Sequence, residues 1–196
     1  MLPPGVTMLS VSKAAWQRHA NARSPRFYFD WERAKKMQSK GMTFTTPAVG
    51  ILFGLREALI MMREEGLPTI FQRHLRVAAA FRAAANALGL RLLAAQEIAS
   101  PTVTAVYFPE ALTGDKSEAV LKTWRDLGLV VGEGQGKLAG KIFRIGHLGA
   151  VYEPDVVTTV EIMERGLEAH GHPVTKSAAL TAARRALQSS EPSLVA

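Results

Sequence analysis

The chain has 196 residues, and 47% of them are apolar, which is enough to build a packed core and excludes global disorder. It has no cysteine, so disulfides, thiolate zinc sites and cysteine nucleophiles are excluded, as suits a cytoplasmic protein. The net charge is +7, and between Lys13 and Lys40 eight Lys and Arg residues stand against Asp30 and Glu32 alone.

In chain order, residues 5–12 read as a strand, and Ser12 is placed to cap a helix running through about Ala22. Ser24-Pro25 breaks that helix. Phe27, Tyr28 and Phe29 then sit inside the basic stretch, a combination that single-strand nucleic-acid binders use. A solvated helical face followed by a loop is the simpler reading, and a missing acidic partner segment would also leave such an excess. Residues 30–40 form a short basic helix ending at Gly41. Thr46-Pro47 reads as an N-cap with proline at the first helical position. Ala48, Leu52, Leu55, Leu59 and Met62 follow at spacings that put them on one face of an amphipathic helix. Gly66 and Pro68 end it. A second helix carries Phe71, Leu75, Ala78, Phe81, Ala85 and Leu88 on one face and stops near Gly89.

Beyond Leu90 short strands are expected at 91–94, 102–108, 128–131 and 141–146. Helices are expected at about 115–126 and 153–169, the latter with Val156, Val160, Met163 and Leu167 facing the core. Strands with helices on one side make an α+β layer. Residues 173–196 add one short helix and a fraying end. No apolar run reaches the roughly 18 residues that cross a bilayer, and the first residues lack the positive region of a signal peptide. The chain therefore reads as soluble and untargeted.

Several features could carry chemistry. The loop VGEGQGKLAGK, residues 131–141, is glycine-rich, but its spacing fits neither phosphate-binding glycine motif, and a strand follows it. It reads as a flexible turn. Arg144 lies within the apolar strand KIFRIGHLG. It either pairs with a distant carboxylate or awaits an anionic ligand, for which its planar fork suits a carboxylate. Thr45 and Thr46 stand at a helix N-terminus, where free N–H groups and the dipole favour an anion, although a plain cap is the simpler reading. His147 follows the Arg144 strand and could touch a ligand or serve packing. His170-x-His172 has no third ligand in sight, so no metal is expected.

Four stretches occur in order: LPPG at 2–5, FTTPAVGILFGLREAL at 44–59, SPTVTAV at 100–106 and GKIFRIGHLG at 140–149. Together they resemble the C-terminal half of class V aminotransferases, the serine–glyoxylate and alanine–glyoxylate type above all. The resemblance covers about residues 1 to 172. It implies an α/β and α+β chain, the C-terminal part of a fold type I pyridoxal-phosphate-dependent transferase. Residues 1–66 would be the remnant of the large cofactor domain with the start of the interdomain helix. Residues 67–172 would be the small α+β domain, and 173–196 a tail.

The same resemblance implies site residues. Arg144 matches the arginine that binds the substrate α-carboxylate, which favours the ligand reading above. Thr46 matches the threonine that reaches the phosphate of pyridoxal 5'-phosphate bound mainly by the other subunit of a homodimer. Thr43 lies near a second phosphate-contacting position, often aromatic in the family. Gln135 and Gly136 match a loop beside the substrate and supply shape. The Schiff-base lysine of the family's Ser-x-Lys element falls just before Met1, so no catalytic residue is assigned. The chain alone is expected to be inactive, a fragment of an enzyme moving an amino group from serine, alanine or a similar amino acid to a 2-oxo acid such as glyoxylate. Two other readings stand beside it: a split or pseudo-enzyme interaction module, and a basic nucleic-acid-binding protein. Residues 1–65 are expected to expose a large apolar surface.

Overall fold

The computed structural model describes residues 2–189. The chain forms two units, meeting between Glu64 and Glu65.

In the first unit, helix α1 spans Lys13–Asn21, and Ser12 caps it by accepting from the Ala15 N–H at 3.2 Å. Helix α2 spans Trp31–Gln38. Asp30 caps it, Oδ1 accepting from the N–H groups of Glu32 and Arg33 at 3.0 and 3.3 Å. Those bonds hold the Asp30 carboxyl below its ordinary pKa. His19 stacks on Trp31 with ring centroids 5.6 Å apart, joining the two helices.

Helix α3 spans Val49–Glu65. The expected cap at Thr46 is corrected: the Ala48 carbonyl accepts the first helical bond, from the Leu52 N–H at 3.0 Å. Thr46 stands outside the helix. Residues 5–12 are also corrected, because they form no strand and join no ladder among the described residues. Apolar alternation supplies extension, but a strand also needs a hydrogen-bonded neighbour. Among the described residues of this unit Ala58 alone is buried. Leu52 and Leu59, expected on a core face, are exposed, as are Met8, Leu9, Phe27, Phe29 and Phe53.

In the second unit, helix α4 spans Leu67–Ala87, entered through Gly66 at φ +81 with proline in its first turn. Its buried stripe runs Ile70, Arg73, Val77, Ala80, Phe81 and Ala84, whereas Phe71, expected on that face, is exposed. The alanines let α6, α7 and the sheet approach closely. Strands β1 (Val103–Tyr107), β2 (Gly132–Glu133) and β3 (Ile142–Gly146) form an antiparallel sheet in the order β1-β3-β2. Arg144 lies opposite Ala105 on one side and Gly132 on the other. Of the expected strand 91–94 a single bridge, Leu92 to Val106, forms. Residues 128–131 do not form the expected strand. They close helix α5 (Asp115–Asp126), with the Leu129 N–H returning to the Trp124 carbonyl at 2.8 Å.

Helices α6 (Glu153–Ala169) and α7 (Ala178–Gln188) complete the layer. The core centres on Trp124, Phe108 and Phe143, with Trp124 and Phe143 ring centroids 4.9 Å apart. Gly166 of α6 leaves the space the Trp124 indole occupies, since a Cβ there would overlap it. The fraying end expected after α7 falls largely outside the described residues.

Candidate functional site

Strand alternation decides where Arg144 goes. Phe143 and Ile145 turn into the core, and Arg144 stands on the opposite side of the strand and is exposed. It therefore bears no burial cost, contrary to the reading of an arginine inside an apolar strand. Its stem lies over Gly132, where an added Cβ would sit 3.4 Å from Nε and from Nη2. Nε donates to the Glu133 carbonyl at 3.1 Å. Among the described residues no carboxylate comes within 4.0 Å, so the structural ion pair finds no partner. The backbone bond orients the guanidinium, and its two terminal amino groups keep their donors for a planar anion.

The neighbouring glycine loop behaves as a turn. At Gly134 a Cβ would strike the Leu138 carbonyl, and Gly136 and Gly140 take φ values of +54 and +65. Gln135 is exposed beside them.

Thr43 and Thr46 belong to the first unit and Arg144 to the second. The Thr43 hydroxyl donates to the Thr45 carbonyl at 2.6 Å and is committed to its own loop. The Thr46 hydroxyl forms no hydrogen bond among the described residues. Just beyond it the N–H groups of Gly50 and Ile51 have no backbone acceptor there, and the space over Gly50 is open. One hydroxyl and two free amides at a positive helix end are donors of the kind a phosphate accepts, so these residues fit that part of a phosphorylated cofactor.

Sequence reasoning passed over the polar cluster that holds the chain after β3. Arg73 is 8% exposed. Its Nε and Nη2 donate to Oε1 and Oε2 of Glu65 at 2.6 and 2.8 Å, and Nη1 donates to the carbonyls of Gly149 and Val151 at 2.7 and 3.1 Å. The bidentate bond with Arg73 holds the Glu65 carboxyl below its ordinary pKa and raises that of Arg73. His74 Nδ1 bonds to the Ile70 carbonyl at 2.7 Å, while Nε2 accepts from the Gly149 N–H at 3.0 Å. An arginine spaced three residues after Ile70 and four before Val77, on the apolar stripe, was the available signal.

His147 is buried at 1% exposure. It stacks on Phe81 with centroids 5.3 Å apart, and Nε2 bonds to the Thr104 hydroxyl at 2.9 Å. Nδ1 has no partner. Burial, with Arg82 and His74 adding repulsion, lowers its pKa to about 4. It is a packing histidine. His170 bonds to Thr123 and His172 to the Leu88 carbonyl, and no metal-ligating group of three forms among the described residues.

No family model matches the chain. It is 38% identical over 189 residues to the serine–glyoxylate aminotransferase of Arabidopsis thaliana, covering 95% of this chain and 47% of that protein. The solved pyridoxamine–pyruvate aminotransferase of Mesorhizobium loti superposes with a TM-score of 0.81 at 33% identity, covering 94% of this chain and 48% of that one. The chain belongs to the class V aminotransferases. Members of this family are pyridoxal-phosphate-dependent aminotransferases. A protein named soluble hydrogenase, small subunit, from a Synechococcus species is 42% identical over 188 residues, covering 95% of this chain and 48% of its own length. The chain spans about half the length of the curated relatives it matches. Among the described residues no helix is long and apolar enough to cross a membrane.

Proposed function

We propose that these residues form the substrate-carboxylate half of a cytoplasmic, homodimeric aminotransferase, which moves an amino group from serine, alanine or a similar small amino acid to a 2-oxo acid such as glyoxylate. The observation that carries the reading is Arg144, outward-facing, oriented by the Glu133 carbonyl and without a carboxylate partner among the described residues. Its terminal amino groups bind the α-carboxylate bidentately, and this holds Cα at a set distance from the sheet. Both the amino donor and the 2-oxo acid present that carboxylate, so one arginine serves both half-reactions. Thr46 and the α3 amides of Gly50 and Ile51 hold the cofactor phosphate, and Thr43 keeps their loop in shape through Thr45. Bound pyridoxal phosphate supplies the electron sink for the transfer. No Ser-x-Lys occurs in the 196 residues, so they furnish no Schiff-base lysine and are inactive by themselves. A hydrogenase reading has less support, because these residues hold no cysteine for an iron–sulfur ligand.

The test is a chimera in which these residues replace the C-terminal half of a serine–glyoxylate aminotransferase. It should bind the cofactor and transfer amino groups, while the 196 residues alone should not. In the chimera Arg144→Ala should raise KM for the amino donor ~100-fold, the equivalent of a charge-assisted bidentate contact. The cofactor absorbance should stay unchanged. Equal KM values in a chimera that binds the cofactor would remove Arg144 from the site.

A further inference from the structure

A second concentration of positive charge lies at the end of β1, and the proposed aminotransferase chemistry makes no use of it. The Tyr107 N–H donates to the Arg91 carbonyl at 2.8 Å, and the next N–H, that of Phe108, donates to the Lys141 carbonyl at 2.9 Å. Successive amides of a strand point to opposite sides, so Arg91 and Lys141 flank β1 on its two edges. Both line a cavity of about 450 Å³, together with Tyr107, Phe108 and Glu110. That volume lies within the range of small-molecule sites.

The lining is ordered. The Arg91 guanidinium carbon lies 3.4 Å from the centroid of the Tyr107 ring, whose face attracts the cation and holds it at the cavity wall. Phe108 is 4% exposed and backed by Trp124 and Phe143, so the floor does not give. Neither Arg91 nor Lys141 has an acidic partner within 4.0 Å among the described residues, and Glu110 has no cationic one.

We propose that this cavity binds a small dicarboxylate bearing a hydroxyl or amino group. The two cations start from backbones roughly 10 Å apart, two strand spacings. With one cation on each side of the strand, two carboxylates on a short carbon chain can each take one of them. The planar fork of Arg91 suits a carboxylate edge. Glu110, the one acid in the lining, accepts from a donor group between the two carboxylates.

The test titrates malate into the chain carrying Arg144→Ala, so that the candidate substrate arginine cannot answer, and follows backbone amides by two-dimensional NMR. Saturable shifts at Tyr107 and Phe108 are expected, and Arg91→Gln or Lys141→Gln should each weaken binding roughly tenfold. Malamide, the neutral diamide, should cause none. Both side chains are exposed, and unchanged circular dichroism verifies the fold of each variant. If Arg91→Gln loses the fold, Lys141→Gln decides. The absence of saturable shifts, shifts that survive both substitutions, or an equal response to inorganic phosphate would each overturn the proposal.

Discussion

Acidification should weaken the second unit through His147. In the folded chain its pKa is lowered from 6.5 to about 4, first because burial penalises the imidazolium and then because Arg82 and His74 repel it. The unfolded chain takes up this proton near pH 6.5, and the folded chain does so only near pH 4. Between those values the unfolded state binds more protons, so stability falls as pH falls, and the contribution is fully present above pH 6.5. At about 1.4 kcal/mol per pKa unit, the loss across the window comes to about 3 kcal/mol. Trp124, fully buried in this unit, reports the transition once Trp16 and Trp31 are changed to Phe. Urea unfolding at pH 7.5 and pH 4 should then show the loss, and the difference from His147→Gln isolates it from His74, His170 and His172. Parallel stability curves for the two proteins, or an NMR titration of His147 with a midpoint near 6.5, would refute the reasoning.

Arg73→Ala should cost about 3 kcal/mol of unfolding free energy by removing a paired, mostly buried guanidinium that also satisfies two carbonyls. Arg73→Lys should recover little of it, because a lysine cannot span Glu65 and the two carbonyls in one plane. Gly166→Ala should destabilise by roughly 1–3 kcal/mol, since its Cβ meets the Trp124 indole in a filled core, and thermal unfolding reads the change. Arg144→Ala should alter stability by less than about 0.5 kcal/mol, as expected of an exposed side chain. Combined with the KM effect in the chimera, that result would separate a ligand contact from a structural one.

Local signals carried far along this chain. Asp115–Asp126 and Glu153–Ala169 match the expected helices 115–126 and 153–169 because their ends are written in glycine, proline and acidic residues, which act within one turn. Ser12 acts as the cap it was read to be. The failures share a cause. Residues 5–12 have the alternation of a strand but no ladder, and residues 128–131 were needed to close α5. The buried stripe of α4 includes Ile70 rather than Phe71. In each case the outcome depends on what packs alongside, which short-range pattern does not encode.

The candidate site divides in the same way. Sequence by itself placed Arg144 on a strand between two core-facing residues, and the ordered motifs around it supplied the family resemblance. Only the tertiary structure decided that this arginine faces outward, rests over Gly132, is oriented by Glu133 and has no carboxylate partner among the described residues. Likewise the sequence named an N-cap at Thr46, but the helix begins at Val49 with Ala48 before it, leaving a free hydroxyl ahead of two free amides. Periodicity assigns a residue to a face within its own element. The neighbours brought to that face by distant parts of the chain decide whether a charge there is paired, buried or open to a ligand.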